Sequence, residues 1–288
     1  MFPKIDAHQH IWDPKRAKYD WLGPDFEVLN RSFTFEELLP SLHETGIDFT
    51  IQVQSADNVE DTELMQESAN SNPEVVGIVG FAPIHDATLT EKTLETWAQN
   101  PLMVGVRNLI HNIPDPEWLL RQNVRDGLSV LAEQNYTFDV VSVLLEHLAL
   151  LPQLSERHPD LKMVIDHLSK PPIGLSDMSA WKRGIKAAAE NPNVYAKVSG
   201  LYSSVGELSD WTTDAIRPAF EFAFEVFGPE RLMYGGDWPI SKLAGDYVKV
   251  WQGLNPLFNE LSENDSEYIL GRTAYEFYGL SDSRLGLE

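Results

Sequence analysis

Residues 4–10, Lys4-Ile5-Asp6-Ala7-His8-Gln9-His10, have the pattern of a short apolar strand that ends in two histidines one residue apart. Because side chains alternate between the two faces of a strand, His8 and His10 point the same way. Two imidazoles on one face at the carboxyl end of a strand supply half of a metal site. The alternative is a pair of buried, hydrogen-bonded histidines, so the metal interpretation needs further ligands from distant parts of the chain.

Seven more short apolar segments follow residues 4–10. They are continuously apolar, as strands covered on both faces should be. The predicted strands lie at 49–54, 75–81, 103–106, 138–143, 162–166, 194–198 and 231–234.

Helical patterns separate these strands, and the first opens with a capping box at Thr34-Phe35-Glu36-Glu37. The predicted helices lie at 34–45, 60–71, 88–99, 116–134, 144–157, 179–190, 210–227 and 246–260. Eight strand–helix units predict an α/β fold, a (β/α)8 TIM barrel. An extra helix at 264–278 would close its bottom or side. No linker interrupts the series, so we expect a single domain over residues 1–288.

The composition narrows the function classes. Lys and Arg number 22 against 44 for Asp and Glu, and the formal charge of −22 argues against binding to nucleic acid or anionic membranes. Without cysteine, any metal must be held by His, Asp or Glu. We see no signal peptide and no apolar run of membrane-spanning length, so we expect a cytoplasmic protein with a small-molecule substrate. The composition is compatible with a homodimer.

Two further strand ends carry ligand-type residues. Strand six ends in Asp166-His167, and strand eight is followed by Gly235-Gly236-Asp237. Three imidazoles and one carboxylate would then meet at the barrel mouth, a set that suits one divalent ion such as zinc with an open position for water. The alternatives are a barrel-lining histidine that binds a backbone carbonyl at His167, and a loop cap at Asp237.

A second group of polar residues lies on the same rim and predicts substrate contacts. Arg107 closes strand four, and Lys197 lies in strand seven; either suits a carboxylate, hydroxyls or a developing oxyanion. The competing interpretation is ion pairing with Asp139 or Asp166 inside the barrel. The candidates for substrate binding in this group are Gln54, Arg107, His111, Lys197 and Tyr202.

Aromatic residues also gather near the predicted mouth. The connection after strand one, residues 11–33, is unusually long and would lie over the active-site end of a barrel. Its Trp12 and Trp21, with Tyr202 and Trp238 from later loops, suit stacking on a sugar ring. The alternative is ordinary packing between loops.

Five motifs spread over nearly the whole chain resemble the amidohydrolase-related branch of the amidohydrolase superfamily. They are Ile5-Asp6-Ala7-His8-Gln9-His10-Ile11-Trp12, Gly105-Val106-Arg107, Val164-Ile165-Asp166-His167-Leu168-Ser169-Lys170-Pro171, Ala196-Lys197-Val198-Ser199-Gly200-Leu201 and Tyr234-Gly235-Gly236-Asp237-Trp238-Pro239. Within that branch, the likeness is greatest to sugar-acid lactonases of the L-fucono and L-rhamnono type. As a set, these motifs are specific to the branch and not to one substrate.

The resemblance implies a site at the carboxyl ends of the strands, with His8, His10, His167 and Asp237 as its central constellation. Members with two metals carry a bridging lysine at the end of strand four and histidines on two later strands. Here strand four ends in Arg107, and strand five ends without a histidine. This departure implies one divalent metal or none, because pyrone lactonases of the branch keep the histidines and work without metal.

The resulting hypothesis is hydrolysis of a sugar-acid lactone in carbohydrate metabolism. Asp237 would serve as general base and acid, with His167 and Arg107 as the other catalytic residues. A decarboxylase or hydratase of an unsaturated or aromatic acid is the alternative within the superfamily. A non-catalytic barrel with merely structural histidines is the third interpretation.

Overall fold

Parallel strands and helices alternate along the chain, and the predicted (β/α)8 barrel is confirmed. The computed structural model describes residues 2–287. Within them the strands β1–β8 span Ile5–Gln9, Phe49–Val53, Val75–Gly80, Met103–Asn108, Thr137–Val140, Met163–Ile165, Val194–Val198 and Leu232–Tyr234. Each strand pairs with the next in parallel, in the order β1 to β8.

The barrel closes between β1 and the residues that follow β8. The amide of His10 donates to the carbonyl of Trp238 at 2.7 Å, and the amide of Asp237 donates to the carbonyl of His8 at 2.8 Å. The same two hydrogen bonds bring three candidate metal ligands, His8, His10 and Asp237, onto adjacent chain segments. The contacts that close the barrel therefore also hold these ligands together.

Helices cover the outside of the barrel and bury one apolar face each against it. They span Phe35–Thr45 (α1), Val59–Ser71 (α2), Ala87–Trp97 (α3), Gln122–Glu133 (α4), Leu145–Arg157 (α5), Ser179–Ala189 (α6), Thr213–Phe227 (α7) and Tyr247–Asn259 (α8). The capping box predicted at Thr34 and Glu37 is present at the start of α1. Across residues 2–287, no helix has the length and apolar character needed to cross a lipid bilayer.

Two predicted elements differ from the structure. The strand predicted at 138–143 ends at Val140, because the chain turns there and the Val143 amide donates to the Val141 carbonyl. The helix predicted at 116–134 is broken by Arg121, whose ψ of 141° is extended. A short 3-10 turn at Trp118–Leu120 precedes that residue, and α4 follows it.

The predicted extra helix lies against the amino-terminal end of the barrel. It comprises Glu263–Glu267 (α9), a π-helical turn at Tyr268–Arg272 and Thr273–Tyr278 (α10), and a last turn follows at Asp282–Leu285 (α11). Its apolar residues share a core with the first residues of the strands. The contact is close, since a Cβ on Gly271 would lie 2.2 Å from the carbonyl oxygen of Pro3. The extra helix thus closes the barrel bottom.

The long connection 11–33 folds back on itself above the barrel. The backbones of Trp12 and Phe33 exchange two hydrogen bonds, and the Trp12 indole N–H donates to the carbonyl of Arg31 at 2.7 Å. Trp12 and Trp21 meet edge to face at 5.2 Å, and Trp21 donates to the Ser55 carbonyl. These contacts hold the loop at the carboxyl ends of the strands.

Candidate active site

His8 and His10 present the same ring nitrogen to one spot. His10 Nδ1 lies 2.7 Å from the carbonyl oxygen of Val53, an acceptor only, so Nδ1 carries the proton and Nε2 is free. His8 Nδ1 lies 3.3 Å from an oxygen of Asp166. The two Nε2 atoms lie 3.8 Å (His8) and 3.5 Å (His10) from Asp237 Oδ1. Burial lowers the pKa of His8 well below its usual value, so its imidazole is neutral.

Asp237 reaches the histidines through a strained turn after β8. Its φ is +52°, and it follows two glycines. Its Oδ1 faces the two Nε2 atoms, and its Oδ2 accepts a 2.5 Å hydrogen bond from the Tyr202 hydroxyl. Burial raises the pKa of Asp237, but His167, His10 and His8 lower it more, and the result lies well below its usual value. Asp237 is therefore an ionised acceptor.

His167 enters the site from an unusual backbone segment. His167, Leu168, Ser169 and Lys170 all have positive φ, between 48° and 58°. This left-handed turn is held from outside: Ser169 donates to the Ser142 carbonyl, and the Trp181 indole donates to the Leu168 carbonyl. The His167 ring lies edge to face with His8 at 4.5 Å. Burial lowers the pKa of His167 to about 3.

The position of the His167 ring explains why a glycine follows Ser199 in the sequence. His167 Nδ1 lies 2.8 Å from the Ser199 hydroxyl and 4.0 Å from Asp237 Oδ2. Gly200 follows Ser199 with φ +55°, and a Cβ there would lie 2.5 Å from His167 Nδ1. Only glycine fits both the backbone angle and the space.

A layer of buried charges lies directly beneath the histidines. Asp166 contacts Arg107 Nε at 2.9 Å and Lys197 Nζ at 3.3 Å, and Lys197 also bonds Asp139 at 2.5 Å. Tyr278, from α10 at the barrel bottom, donates to Asp139 at 2.9 Å. Lys197 Nζ lies 3.1 Å from His8 Nδ1. The layer therefore connects the helix that closes the barrel to a histidine of the site.

A cavity of about 380 Å³ opens above this layer at the carboxyl ends of the strands. One wall is apolar and includes Trp12, Trp21, Phe26, Leu109, Val141 and Ile240. The polar wall includes His10, Arg107, His111, His167, Lys170 and Asp237. Its size suits a small molecule with one apolar face and several oxygen atoms.

The structure separates the predicted site residues into two groups. Those that line the cavity are His10, Trp12, Arg107, His111, His167 and Asp237, and His8 lies just behind them. Those outside the cavity lining are Gln54, Lys197, Tyr202 and Trp238. Each of these four side chains contacts other groups of the protein instead of the cavity.

Lys197 and Gln54 are fully buried and already paired. Lys197 lies between Asp139 and Asp166, which is the ion-pair alternative noted for the sequence. Gln54 Nε2 donates to the Arg107 carbonyl at 2.9 Å. Because neither lines the cavity, we remove both from the substrate-binding group.

Trp238 and Tyr202 also have partners other than a ligand. Trp238 packs edge to face on Phe33 at 5.5 Å, beneath the loop 11–33. Tyr202 directs its hydroxyl to Asp237. The stacking proposed for these two rings is replaced by support of the loop and of the carboxylate. Trp12 and Trp21 do line the cavity, so the proposed stacking stays a prediction for them.

The histidines and Asp237 have the donor chemistry of a divalent-metal site. His8, His10 and Asp237 each place one ligand atom within 4.8 Å of the other two. His8 Nε2 is buried, and no group among residues 2–287 forms a hydrogen bond with it. A buried donor atom without a partner is costly, and a cation would satisfy it. Neutral imidazoles and an ionised carboxylate are the forms that bind such an ion.

Lys170 lines the cavity, yet the sequence interpretation gave it no role. It belongs to the quoted motif Asp166-His167-Leu168-Ser169-Lys170-Pro171, three residues after His167. An extended chain would place residues three apart on opposite faces, and the left-handed turn instead returns Lys170 to the side of His167. The feature of the sequence that could have identified Lys170 is its position three residues after His167, a candidate metal ligand.

Comparison with known proteins agrees with this geometry. The amidohydrolase family matches residues 5–280. L-fucono-1,5-lactonase of Burkholderia ambifaria is 30% identical over 85% of this chain and 83% of that protein. L-fucono-1,5-lactonase of Burkholderia multivorans is 29% identical over 98% and 99%.

A solved structure extends the comparison to three dimensions. An amidohydrolase from Burkholderia multivorans with bound zinc superposes with a TM-score of 0.89 at 27% identity, covering 97% of this chain and all of that one. A family match over nearly the whole chain and a relative at 30% identity point the same way. The chain belongs to the amidohydrolase family.

Proposed function

We propose that this protein hydrolyses the ring ester of a sugar-acid lactone of the L-fucono-1,5-lactone kind. The observation that supports this proposal most directly is the cavity, in which the Asp237 carboxylate lies between the histidines and an apolar wall. Two L-fucono-1,5-lactonases among its relatives support this substrate class. The apolar wall suits the carbon face of a sugar ring, and the polar wall suits its oxygens.

Asp237 moves the proton in this proposal. Water attacks the carbonyl carbon while Asp237 accepts one of its protons, and the carbonyl oxygen gains negative charge. When the intermediate collapses, the ring C–O bond breaks and Asp237 returns the proton to the departing ring oxygen. The product is a hydroxy acid, whose carboxyl proton is released to solvent at neutral pH.

Arg107 and His111 orient the substrate. Arg107 Nε faces Asp166, and its Nη1 donates to the Gln54 carbonyl at 2.7 Å, which leaves Nη2 for a substrate oxygen. Burial lowers the pKa of His111 to about 4, so it is a neutral hydrogen-bonding group. His167, held by Ser199, completes the floor beneath the reacting carbonyl.

A divalent ion, zinc in this proposal, would be held by His8, His10 and Asp237 with His167 beside them. When bound, it supplies Lewis-acid polarisation of the ester carbonyl or acidification of water. The orphaned His8 Nε2 and the zinc in the related Burkholderia multivorans structure support this choice.

A substrate panel tests the proposed reaction. Zinc-loaded protein is offered L-fucono-1,5-lactone, L-rhamnono-lactone, an aromatic carboxylic acid and a dienoic acid. We expect acid release from the lactones, read with a pH indicator, and no CO2 from the carboxylic acids. Decarboxylation or hydration without lactone opening would contradict the proposal, and inactivity on the whole panel would favour the non-catalytic barrel.

The variant Asp237→Asn tests the proposed base. An amide cannot accept the water proton, so kcat/KM should fall by about 10³-fold or more. The melting temperature and circular dichroism spectrum serve as controls for folding. A folded variant with substantial residual turnover would remove Asp237 from the role of base.

A further inference from the structure

Lys170 differs from Arg107 and Lys197 because it has no carboxylate of the described chain within ion-pair distance. Arg107 and Lys197 both pair with Asp166 at 2.9 and 3.3 Å. Among residues 2–287, no carboxylate oxygen lies within 4.0 Å of Lys170 Nζ. Its contacts are the Gly200 carbonyl at 3.2 Å and the face of the Tyr202 ring at 4.6 Å. The carbonyl takes one of the three N–H donors of an ammonium group, so donors remain.

The backbone around Lys170 is built to place it in the cavity. Its φ of +50° is unfavourable for a lysine, and the three residues before it share that cost. The Lys170 amide donates to the His167 carbonyl at 2.8 Å, which closes the turn and sets both side chains on the cavity wall. The hydrogen bond from Trp181 to Leu168 keeps the turn in place. A backbone conformation that is unfavourable by itself but held by buried hydrogen bonds is typical of functional sites.

An ammonium group on the cavity wall that has spare N–H donors and no direct carboxylate contact favours an anionic group of the ligand as a further partner. Lactone hydrolysis supplies one at a single atom, since the neutral carbonyl oxygen becomes negative in the intermediate and belongs to a carboxylate in the product. A Lys170 N–H donor beside that oxygen would therefore stabilise later states of the reaction more than the bound substrate.

We propose that the Lys170 ammonium group binds the acyl oxygen of the substrate, as oxyanion during ring opening and as carboxylate in the hydroxy-acid product. This inference rests on the proposed function. As water adds to the carbonyl carbon, the C=O π electrons move to that oxygen, and Lys170 donates a hydrogen bond to it without giving up its proton. The electron pair returns when the ring C–O bond breaks.

The test compares Lys170→Met, Lys170→Arg and wild type. Lys182→Met is the matched control, because Lys182 also lies over an aromatic ring, that of Phe222 at 5.0 Å, but outside the cavity. Turnover of L-fucono-1,5-lactone is followed by acid release. Binding of L-fuconate, which carries the carboxylate, and of L-fucose, which does not, is measured by calorimetry.

We expect Lys170→Met to lower kcat by about 10²-fold with KM changed less than about threefold, as for loss of one oxyanion donor. Its affinity for L-fuconate should fall about tenfold or more, while its affinity for L-fucose is kept. Lys170→Arg should recover part of both losses, and Lys182→Met should match wild type.

Equal losses for L-fuconate and L-fucose would show that Lys170 only shapes the cavity, and unchanged L-fuconate binding would overturn the inference. The binding arm is independent of turnover. Wild-type protein that opens no lactone contradicts the proposed function alone, provided that L-fuconate still binds more tightly than L-fucose through Lys170. Wild type without that preference overturns the inference about Lys170.

Discussion

The buried charges beneath the cavity balance one another residue by residue. Asp139 and Asp166 face Lys197 and Arg107, and the Tyr278 hydroxyl donates a hydrogen bond to the Asp139 carboxylate. Burial raises the pKa of Asp139 to about 6, while burial of Asp166 is outweighed by Lys197, His8 and Arg107, which hold its pKa well below its usual value. The carboxylates are tolerated because the cations are present.

Replacement of Lys197 by methionine should therefore destabilise the fold. It leaves two buried carboxylates short of a cation, and breaking such a pair costs about 3–5 kcal/mol. Urea unfolding gives the change in the free energy of unfolding. The exposed Lys186→Met in α6 is the control and should change it by less than about 0.5 kcal/mol. A Lys197→Met protein as stable as the control would show that the ion pairs contribute nothing.

His111 should make the stability of the protein depend on pH. Burial, with Arg107 nearby, lowers its pKa in the folded state to about 4 from 6.5. The unfolded chain then binds more protons than the folded one between those values, so stability rises with pH across this window and is lost on acidification. Between pH 7 and pH 5 the loss is about 1–2 kcal/mol.

The variant His111→Gln isolates that contribution, since glutamine does not titrate. Its free energy of unfolding should fall less than that of wild type when the pH is lowered from 7 to 5. Other buried histidines keep part of the dependence in both proteins. Parallel curves for the two proteins would contradict the lowered pKa of His111.

Spacing in the sequence indicates which residues end a strand but not how deep they lie. The pair His8 and His10 could be predicted from alternation, and so could the rim positions of His167 and Asp237. Lys197 also lies in a strand, yet it is one layer lower, where Asp139 and Asp166 from other strands surround it. Whether a strand cation meets substrate or a carboxylate depends on long-range neighbours that spacing does not contain.

At the scale of elements, strands and helices were mostly predictable and the left-handed turn was not. Continuous apolar runs locate β1–β8, and the capping box at Thr34 locates the start of α1. The turn from His167 to Lys170 contains no glycine, so local preference argues against it. Two hydrogen bonds hold its conformation. Ser169 donates to the Ser142 carbonyl in the loop after β5, and Trp181 of α6 donates to the Leu168 carbonyl.

The variant Trp181→Phe tests that external support. It removes the indole donor to the Leu168 carbonyl and should lower the free energy of unfolding by about 1–2 kcal/mol. It should also lower turnover, because His167 and Lys170 lose their fixed positions. Trp97→Phe in α3 is the control: it shrinks a buried ring of the same kind, far from the turn. Turnover equal in both variants would assign no role to this hydrogen bond.

The two ends of the barrel have different roles in the molecule as a whole. The carboxyl ends carry the cavity and its polar residues, while the amino-terminal ends are sealed by α10 and the residues after it. The two ends meet through Tyr278, Asp139 and Lys197, which reach His8. This arrangement follows the usual distribution of function and stability in such barrels. It makes the bottom helix part of the support of the site.

Termination of the chain before Glu263 should therefore unfold the barrel and not merely shorten it. The truncation exposes the lower core, including Ile51, Val104 and Val164, and removes the hydrogen bond from the Tyr278 hydroxyl to the Asp139 carboxylate. We expect loss of cooperative thermal unfolding and strong binding of a hydrophobic dye. Termination after Leu280 keeps Tyr278 and removes only α11, so that protein should fold with a lowered melting temperature. Cooperative unfolding of the shorter chain at the wild-type temperature would show that the barrel does not need its bottom helix.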